Sequence, residues 1–306
     1  MMIYEYSPFF NENRVLEIKV REASRWVDQI HICEADRNFS DEPKKSMYKP
    51  FFEACPEDAG LGARVYLHTL ETEQLFRSPP REQIYYNPEV HNKDHFDSWY
   101  WRLLCGNAAY HNESVQRNHA AVLRQTVLDE DIVILSDVDE ILDSRFAGRL
   151  IDEVRKRDII TVKLHYSVFY LNLFTASNHG VPHFAYRLFL MTGRHFKTMP
   201  FNSDYLRKRG IEGGFLDEIY CPDEPMGFHH SWLEPDKNAF SKLKAFRNNV
   251  QDQSMITPVF ASNCITKKRL PYLNADLYVD NDKDFLGALS EMDTSNLWIS
   301  EESTAG

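Results

Sequence analysis

The residues best suited to chemistry stand at the end of an apolar run. Ile132-Val133-Ile134-Leu135 is short, rich in β-branched residues and bounded by polar ones, the pattern of a strand covered on both faces. It ends in Ser136-Asp137-Val138-Asp139-Glu140. Side chains two apart on an extended chain share a face, so Asp137 and Asp139 can converge on one point. Two carboxylates held together repel unless a cation joins them, and oxygen donors select Mg²⁺, Ca²⁺ or Mn²⁺. Ligands of open α/β sheets bind at the carboxyl ends of strands, where such an ion keeps sites for the oxygens of a nucleotide diphosphate. The plainer reading is that these acids cap the next helix or face solvent. Gly227-Phe228-His229-His230-Ser231-Trp232 offers a histidine pair from which a third ligand could come, in an aromatic shell. The plainer reading there is packing.

Periodicity supplies the elements that must position these groups. Residues 3–6 read as a strand, Asn13 as the cap of a helix through Ala23, and 27–34 and 64–69 as further strands, a β-α-β opening. Helical spacing recurs over 96–127, interrupted at His111-Asn112-Glu113. After the strand at 131–135 come a helix over 144–156, a long β-rich run over 159–174, a strand over 184–191 and a helix over 235–250. This alternation predicts an α/β fold with a mostly parallel central sheet. The Pro-rich stretch 78–88 reads as an irregular loop. Past Val250 the signal weakens, and the last ~20 residues read as a loose tail or a capping segment. No repeat or Gly/Ser linker marks a boundary, so 1–250 reads as one domain with 251–306 an extension packed on it.

Composition sets the outer limits. With 306 residues, 43% of them hydrophobic, the chain can bury a large core without staples. No apolar run approaches ~20 residues, so no membrane span is expected. Forty-six acidic against 35 basic residues give a net charge of -11, which argues against a polyanion-coating protein and leaves room for a local basic pocket for one nucleotide, so no nucleic-acid partner is expected. Residues 1–10 hold no cationic stretch followed by an apolar run, so no secretory signal is read and the cytoplasm is the expected compartment. Five scattered cysteines without a C-x-x-C pair read as reduced thiols.

Four blocks carry a more specific signal. Phe10-Asn11-Glu12 with Val15-Leu16-Glu17-Ile18 leads into Glu34-Ala35-Asp36-Arg37-Asn38-Phe39-Ser40-Asp41-Glu42-Pro43-Lys44. Asn112-Glu113-Ser114-Val115-Gln116-Arg117-Asn118 follows, then the run IVILSDVDEI over 132–141. The last block joins 227–232 to Lys242-Leu243-Lys244-Ala245-Phe246. In order and spacing, over residues 3–250, they resemble glycosyltransferase family 17, the family of the enzyme that adds the bisecting N-acetylglucosamine to N-glycans. The departures are Leu142 for Pro, Phe228 for Trp, Ala35-Asp36 for Ser-Asn and Asp41 for Gly, none of them at the two aspartates or His229.

The resemblance implies a single-domain, GT-A-like nucleotide-diphospho-sugar transferase fold with Mn²⁺ (or Mg²⁺) held by Asp137, Asp139 and His229. It implies inverting transfer of a sugar, N-acetylglucosamine in the family, from a UDP-linked donor to a hydroxyl of a glycan or glycoprotein acceptor. Glu34, ending the second strand, would meet the base or ribose. Arg37 and Lys44 would reach the phosphates, or belong to a solvated loop, and Arg117 would bind the diphosphate or orient the aspartates. Ser136 and Val138 complete the donor set. An inverting transferase needs a base, for which Asp217 and Glu218, after the Gly213-Gly214 turn, compete with Glu140. Trp99 and Trp232 are read as acceptor contacts. A haloacid-dehalogenase-type phosphatase would carry its D-x-D near the chain start with a second acidic motif after a Gly-Asp loop, and the sequence has neither. The remaining alternative is a carbohydrate- or nucleotide-sugar-binding protein without turnover.

Overall fold

A computed structural model describes residues 1–38, 43–48, 64–71, 108–199, 203–211, 219–235, 240, 242 and 257–300. In chain order, β1 (Ile3–Phe9), α1 (Asn13–Ala23), β2 (Gln29–Ala35) and β3 (Arg64–Leu70) form the opening unit. Then come α2 (Ala108–Asn118), β4 (Ile132–Leu135), β5 (Glu140–Leu142), α3 (Ala147–Arg157), β6 (Ile159–Thr161), β7 (Lys163–Val168), β8 (Leu173–Ala176) and β9 (Phe184–Ala185). The rest is β10 (Phe189–Thr192), α4 (Gly193–Thr198), α5 (Ser203–Ile211), β11 (Pro225–Ser231), α6 (Phe260–Thr266), β12 (Arg269–Leu270) and β13 (Ala275–Val279).

The first sheet runs β3-β2-β1-β4-β10-β6. Its first four strands are parallel, and β10 runs antiparallel to both neighbours. The α/β fold with a mostly parallel central sheet is therefore present. Ile30, Ile32, Ile132 and Ile134 pack with Leu16 and Val20 of α1 and with Leu150 and Val154 of α3. Tyr4, Tyr6, Val133 and Leu135 pack on the other side with Leu123, Phe196 and Leu206. With both faces covered, every residue of β4 is buried, which is why it reads as an unbroken apolar run.

A second, mixed sheet is the part the periodicity does not reveal. It runs β12-β13-β8-β7-β11-β5, with β9 on β7. The run 159–174, read as one continuous β segment, is three strands: β6 belongs to the first sheet, β7 and β8 to the second. The chain leaves the first sheet at Val162 and turns back at Phe169, whose φ is 68°. The strand read over 184–191 likewise divides into β9 and β10, one in each sheet, and the helix read from 144 opens with a 3-10 turn before α3. An apolar pattern reports burial and says nothing about which sheet a strand joins, so these breaks leave no mark in it. Of the segment 96–127, the described part is α2 followed by a 3-10 helix at His119–Gln125. The loop at 78–88 lies outside the described residues, as does the helix read over 235–250 apart from Pro235, Phe240 and Lys242.

Of residues 257–300, β12 and β13 join the second sheet, and Leu286, Leu289 and Leu297 are buried against Val15, Ile18 and Phe228. For residues 286–299 this is capping rather than a loose tail. Cys33, Cys221 and Cys264 are free thiols, while Cys55 and Cys105 lie outside the described residues. Burial pushes the Cys33 thiol up to about 12. Among the described residues, no helix is long and apolar enough to cross a membrane.

Candidate functional site

Strand order alone places a crevice. The chain builds β1, β2 and β3 outward in one direction, then returns to lay β4 on the opposite side of β1. That reversal between β1 and β4 is a topological switch point, where the loops at the strand ends separate and leave room for a ligand. Pro8, Phe9, Phe10 and Glu12 leave β1 there, and Asp137, Val138 and Asp139 leave β4. With Glu113, Arg117 and Lys242 they line a cleft of about 360 Å³.

The two aspartates stand in this one cleft, each held by its own cations. Arg117 clasps Asp137 with Nε on Oδ1 at 3.1 Å and Nη2 on Oδ2 at 2.9 Å, and also donates to Asp204 at 3.0 Å and pairs with Glu113 at 2.8 Å. Arg207 pairs with the same Asp137 Oδ2 and with Glu140 at 2.7 Å. Burial pushes the Asp137 carboxyl up, but Arg117 and Arg207 more than offset this and hold it below its usual value. Asp139 faces Lys242 at 3.1 Å and His229 at 3.4 Å. Burial raises it too, and Lys242 and His229 prevail, leaving it well below the ordinary carboxylate range. Lys242 also donates to Glu12 at 2.6 Å.

His229 reaches Asp139 by strand register. On β11 it lies between Glu140 of β5 and Tyr166 of β7, on whose ring it stacks with centroids 4.6 Å apart. Alternation turns His230 to the opposite face, where its Nδ1 meets Ser167 Oγ at 2.6 Å and burial pushes its pKa down to about 3. His230 therefore packs. Gly227 permits the β5–β11 contact: a Cβ there would lie 2.2 Å from the Ile141 carbonyl oxygen and 3.0 Å from Leu142 Cα. Both are backbone atoms, so Gly227→Ala must force the strands apart, at an expected cost of about 1–3 kcal/mol in chemical denaturation. A loss under about 0.5 kcal/mol would show that the strands yield freely.

The donor chemistry suits a divalent ion at Asp139 and His229. Four carboxylates line the cleft (Glu12, Glu113, Asp137 and Asp139) against two cations, Arg117 and Lys242. His229 turns its Nε2 toward Asp139, and the same nitrogen meets Ser231 Oγ at 3.1 Å. Asp139, Glu140 and His229 each offer a ligand atom within 4.8 Å of the others. Asp137 differs, since both its oxygens already accept from guanidinium groups.

The other sequence candidates fall as follows. Glu140 is fully buried, with one oxygen on Arg207 and the other accepting from the Asp137 N–H at 2.8 Å, so it braces the turn and faces no substrate space. Asp217, Glu218 and Trp99 lie outside the described residues. Glu34 and Lys44 pair with each other; Glu34 also accepts from Ser46 and the Met47 N–H, and Lys44 donates to the Phe10 carbonyl, which folds residues 43–48 over the end of β2. Arg37 is half-buried and bridges Pro43 through its backbone. The Ser136 hydroxyl points inward to Glu5 and Ser7, and the Val138 side chain enters the core beneath α1. Trp232 joins Phe169, Phe260 and Tyr272 in an aromatic group beyond β11.

Motif spacing assigns no role to Arg207, Lys242 or Lys19, yet each touches the aspartate turn. Arg207 and Lys242 act across 70 and 103 residues, a distance at which sequence carries no pairing signal. Lys19 did leave one: it occupies an inward position of α1 among buried Leu16, Val20 and Ala23, where a charge needs a partner.

No family model matches the chain, and no curated protein does. Among solved structures it is similar to 4-diphosphocytidyl-2C-methyl-D-erythritol synthase, at 10% identity over 74% of this chain and 88% of that one, with a TM-score of 0.33. It is similar to S. aureus TarS 1-349 at 9% identity over 87% and 72%, with a TM-score of 0.34. A galactosyltransferase, LgtC, in complex with donor and acceptor sugar analogs gives 10% identity over 72% and 66%, with a TM-score of 0.32. Likenesses this distant assign no substrate, metal or family.

Proposed function

We propose that the protein is a metal-dependent, inverting glycosyltransferase that moves a sugar from a UDP-linked donor to a hydroxyl of a glycan or glycoprotein. N-acetylglucosamine is the sugar the family resemblance favours. The observation that carries the reading is the meeting of Asp139, which lines the cleft at the switch point, with His229, 90 residues further along the chain, on the blocks that carry the resemblance.

Each part of the reaction has residues suited to it. Pro8, Phe9 and Phe10 give the nucleoside an apolar wall, steadied by the Glu34–Lys44 pair behind Phe10. Asp137, immobilised by two guanidinium groups, is a rigid acceptor for ribose hydroxyls. Asp139 and His229 would hold Mn²⁺ or Mg²⁺, which supplies a Lewis acid for the charge on the departing diphosphate. As the acceptor oxygen bonds to the anomeric carbon, the sugar–phosphate bond breaks and the hydroxyl proton passes to a base. Asp217, with Glu218 beside it, is proposed for that role, because the Glu140 carboxylate is engaged at both oxygens. Trp232 and Tyr272 offer aromatic faces for an acceptor sugar.

Nucleoside-diphosphate release from UDP-, GDP-, dTDP- and CMP-linked sugars, with and without Mn²⁺, tests the reading. Release from a UDP-sugar that requires Mn²⁺ is expected. UDP-sugar binding without release under any acceptor would favour the binding-protein alternative, and absence of both would remove the donor site.

A further inference from the structure

Resting on the glycosyltransferase reading above, we propose that Lys19 is a positioning residue for the donor site, its buried ammonium setting the turn on which both aspartates stand. The side chain is fully buried and comes from α1, beneath the cleft. Nζ pairs with Glu5 Oε1 of β1 at 2.7 Å and donates to Ser136 Oγ at 2.9 Å. It also donates to the carbonyl oxygens of Asp137 at 3.1 Å and Glu140 at 2.6 Å.

The last two contacts carry the inference. A buried lysine present only to neutralise Glu5 has no need of the main chain of residues 137–140. Here the carbonyls at both ends of that turn are drawn inward onto one ammonium, while the Glu140 N–H donates to the Asp137 carbonyl at 3.0 Å. With the carbonyls fixed inward, the Asp137 and Asp139 carboxylates line the cleft. Groups that orient metal and ligand contacts from behind matter to affinity as well as to folding.

Removing Lys19 alone strands the Glu5 carboxylate in the core, so the informative variant removes both charges. UDP affinity in the presence of Mn²⁺, by titration calorimetry, and chemical unfolding are measured for wild type, Glu5→Gln, Lys19→Arg and the double variant Glu5→Gln/Lys19→Met. Glu5→Gln keeps the ammonium but removes its buried counter-charge, so it is expected to lose stability in chemical unfolding while the folded protein binds UDP within about twofold of wild type. The double variant is expected to fold and to bind UDP roughly 10- to 100-fold more weakly. Lys19→Arg keeps a charge against Glu5, but its planar fork cannot serve four oxygens gathered around a compact ammonium, so it too should weaken UDP binding. Wild-type affinity in a folded double variant or in Lys19→Arg would overturn the proposal and leave the glycosyltransferase reading intact. If the wild-type protein binds no UDP with Mn²⁺, the donor reading falls, and the positioning role with it.

Discussion

Asp139→Asn is expected to lower Mn²⁺-dependent nucleoside-diphosphate release by about three orders of magnitude while the protein stays folded. The reason lies in the division of labour between the two aspartates. Asp137 is bound at both oxygens by Arg117 and Arg207, whereas Asp139 meets the imidazole of His229 and a mobile type of cation, a lysine ammonium on a flexible stem. An amide keeps the shape of the carboxylate but loses the charge, so it competes poorly for a divalent ion. Lys242 retains Glu12 as partner, which limits the loss of stability. The measurement is product release and Mn²⁺ affinity side by side, with Glu12→Gln as the comparison. Turnover within about tenfold of wild type would place the metal elsewhere or remove it from the reaction.

What the sequence discloses and what it conceals divides along a physical line. Ile132 to Leu135 announce a buried strand because each of their side chains contacts a covered face, and the D-x-D motif is legible because its members are neighbours in the chain. His229 is legible through the block around it. Its register against Glu140 and Tyr166 is not, since pairing between β11, β5 and β7 is decided by packing across the second sheet. Nor are the cations. Two carboxylates together imply a positive charge nearby, and the sequence reading supplies a metal and, as one of two roles, Arg117, whereas the fold brings Arg207, Lys242 and Lys19 as well. Glu34 and Lys44 show the converse: each is a sensible ligand contact in isolation, yet in the fold they are partners of one another.

Arg117→Met should produce the largest change in stability, and one with a diagnostic pH dependence. The guanidinium is nine-tenths buried and serves Asp137, Asp204 and Glu113 together, and removing one side of a buried, hydrogen-bonded charge cluster costs about 3–5 kcal/mol. In the wild-type protein the Asp137 carboxyl is held below its usual value, so its share of stability is present above the unfolded carboxylate pKa, near 4, and is lost as pH falls through the lower folded value. In the variant, burial loses its main opponent and pushes that carboxyl upward. The folded state then holds a proton the unfolded chain releases, so the variant loses stability as pH rises. The gap between the two proteins in chemical denaturation is therefore expected to be widest near pH 7 and to narrow toward pH 4. Arg117→Lys should recover part of the loss, because an ammonium restores the charge but cannot grip both Asp137 oxygens and Asp204 in one plane. A gap that stays constant with pH would mean that Arg117 stabilises the fold by packing its stem, and that Arg207 alone suffices to hold Asp137 ionised.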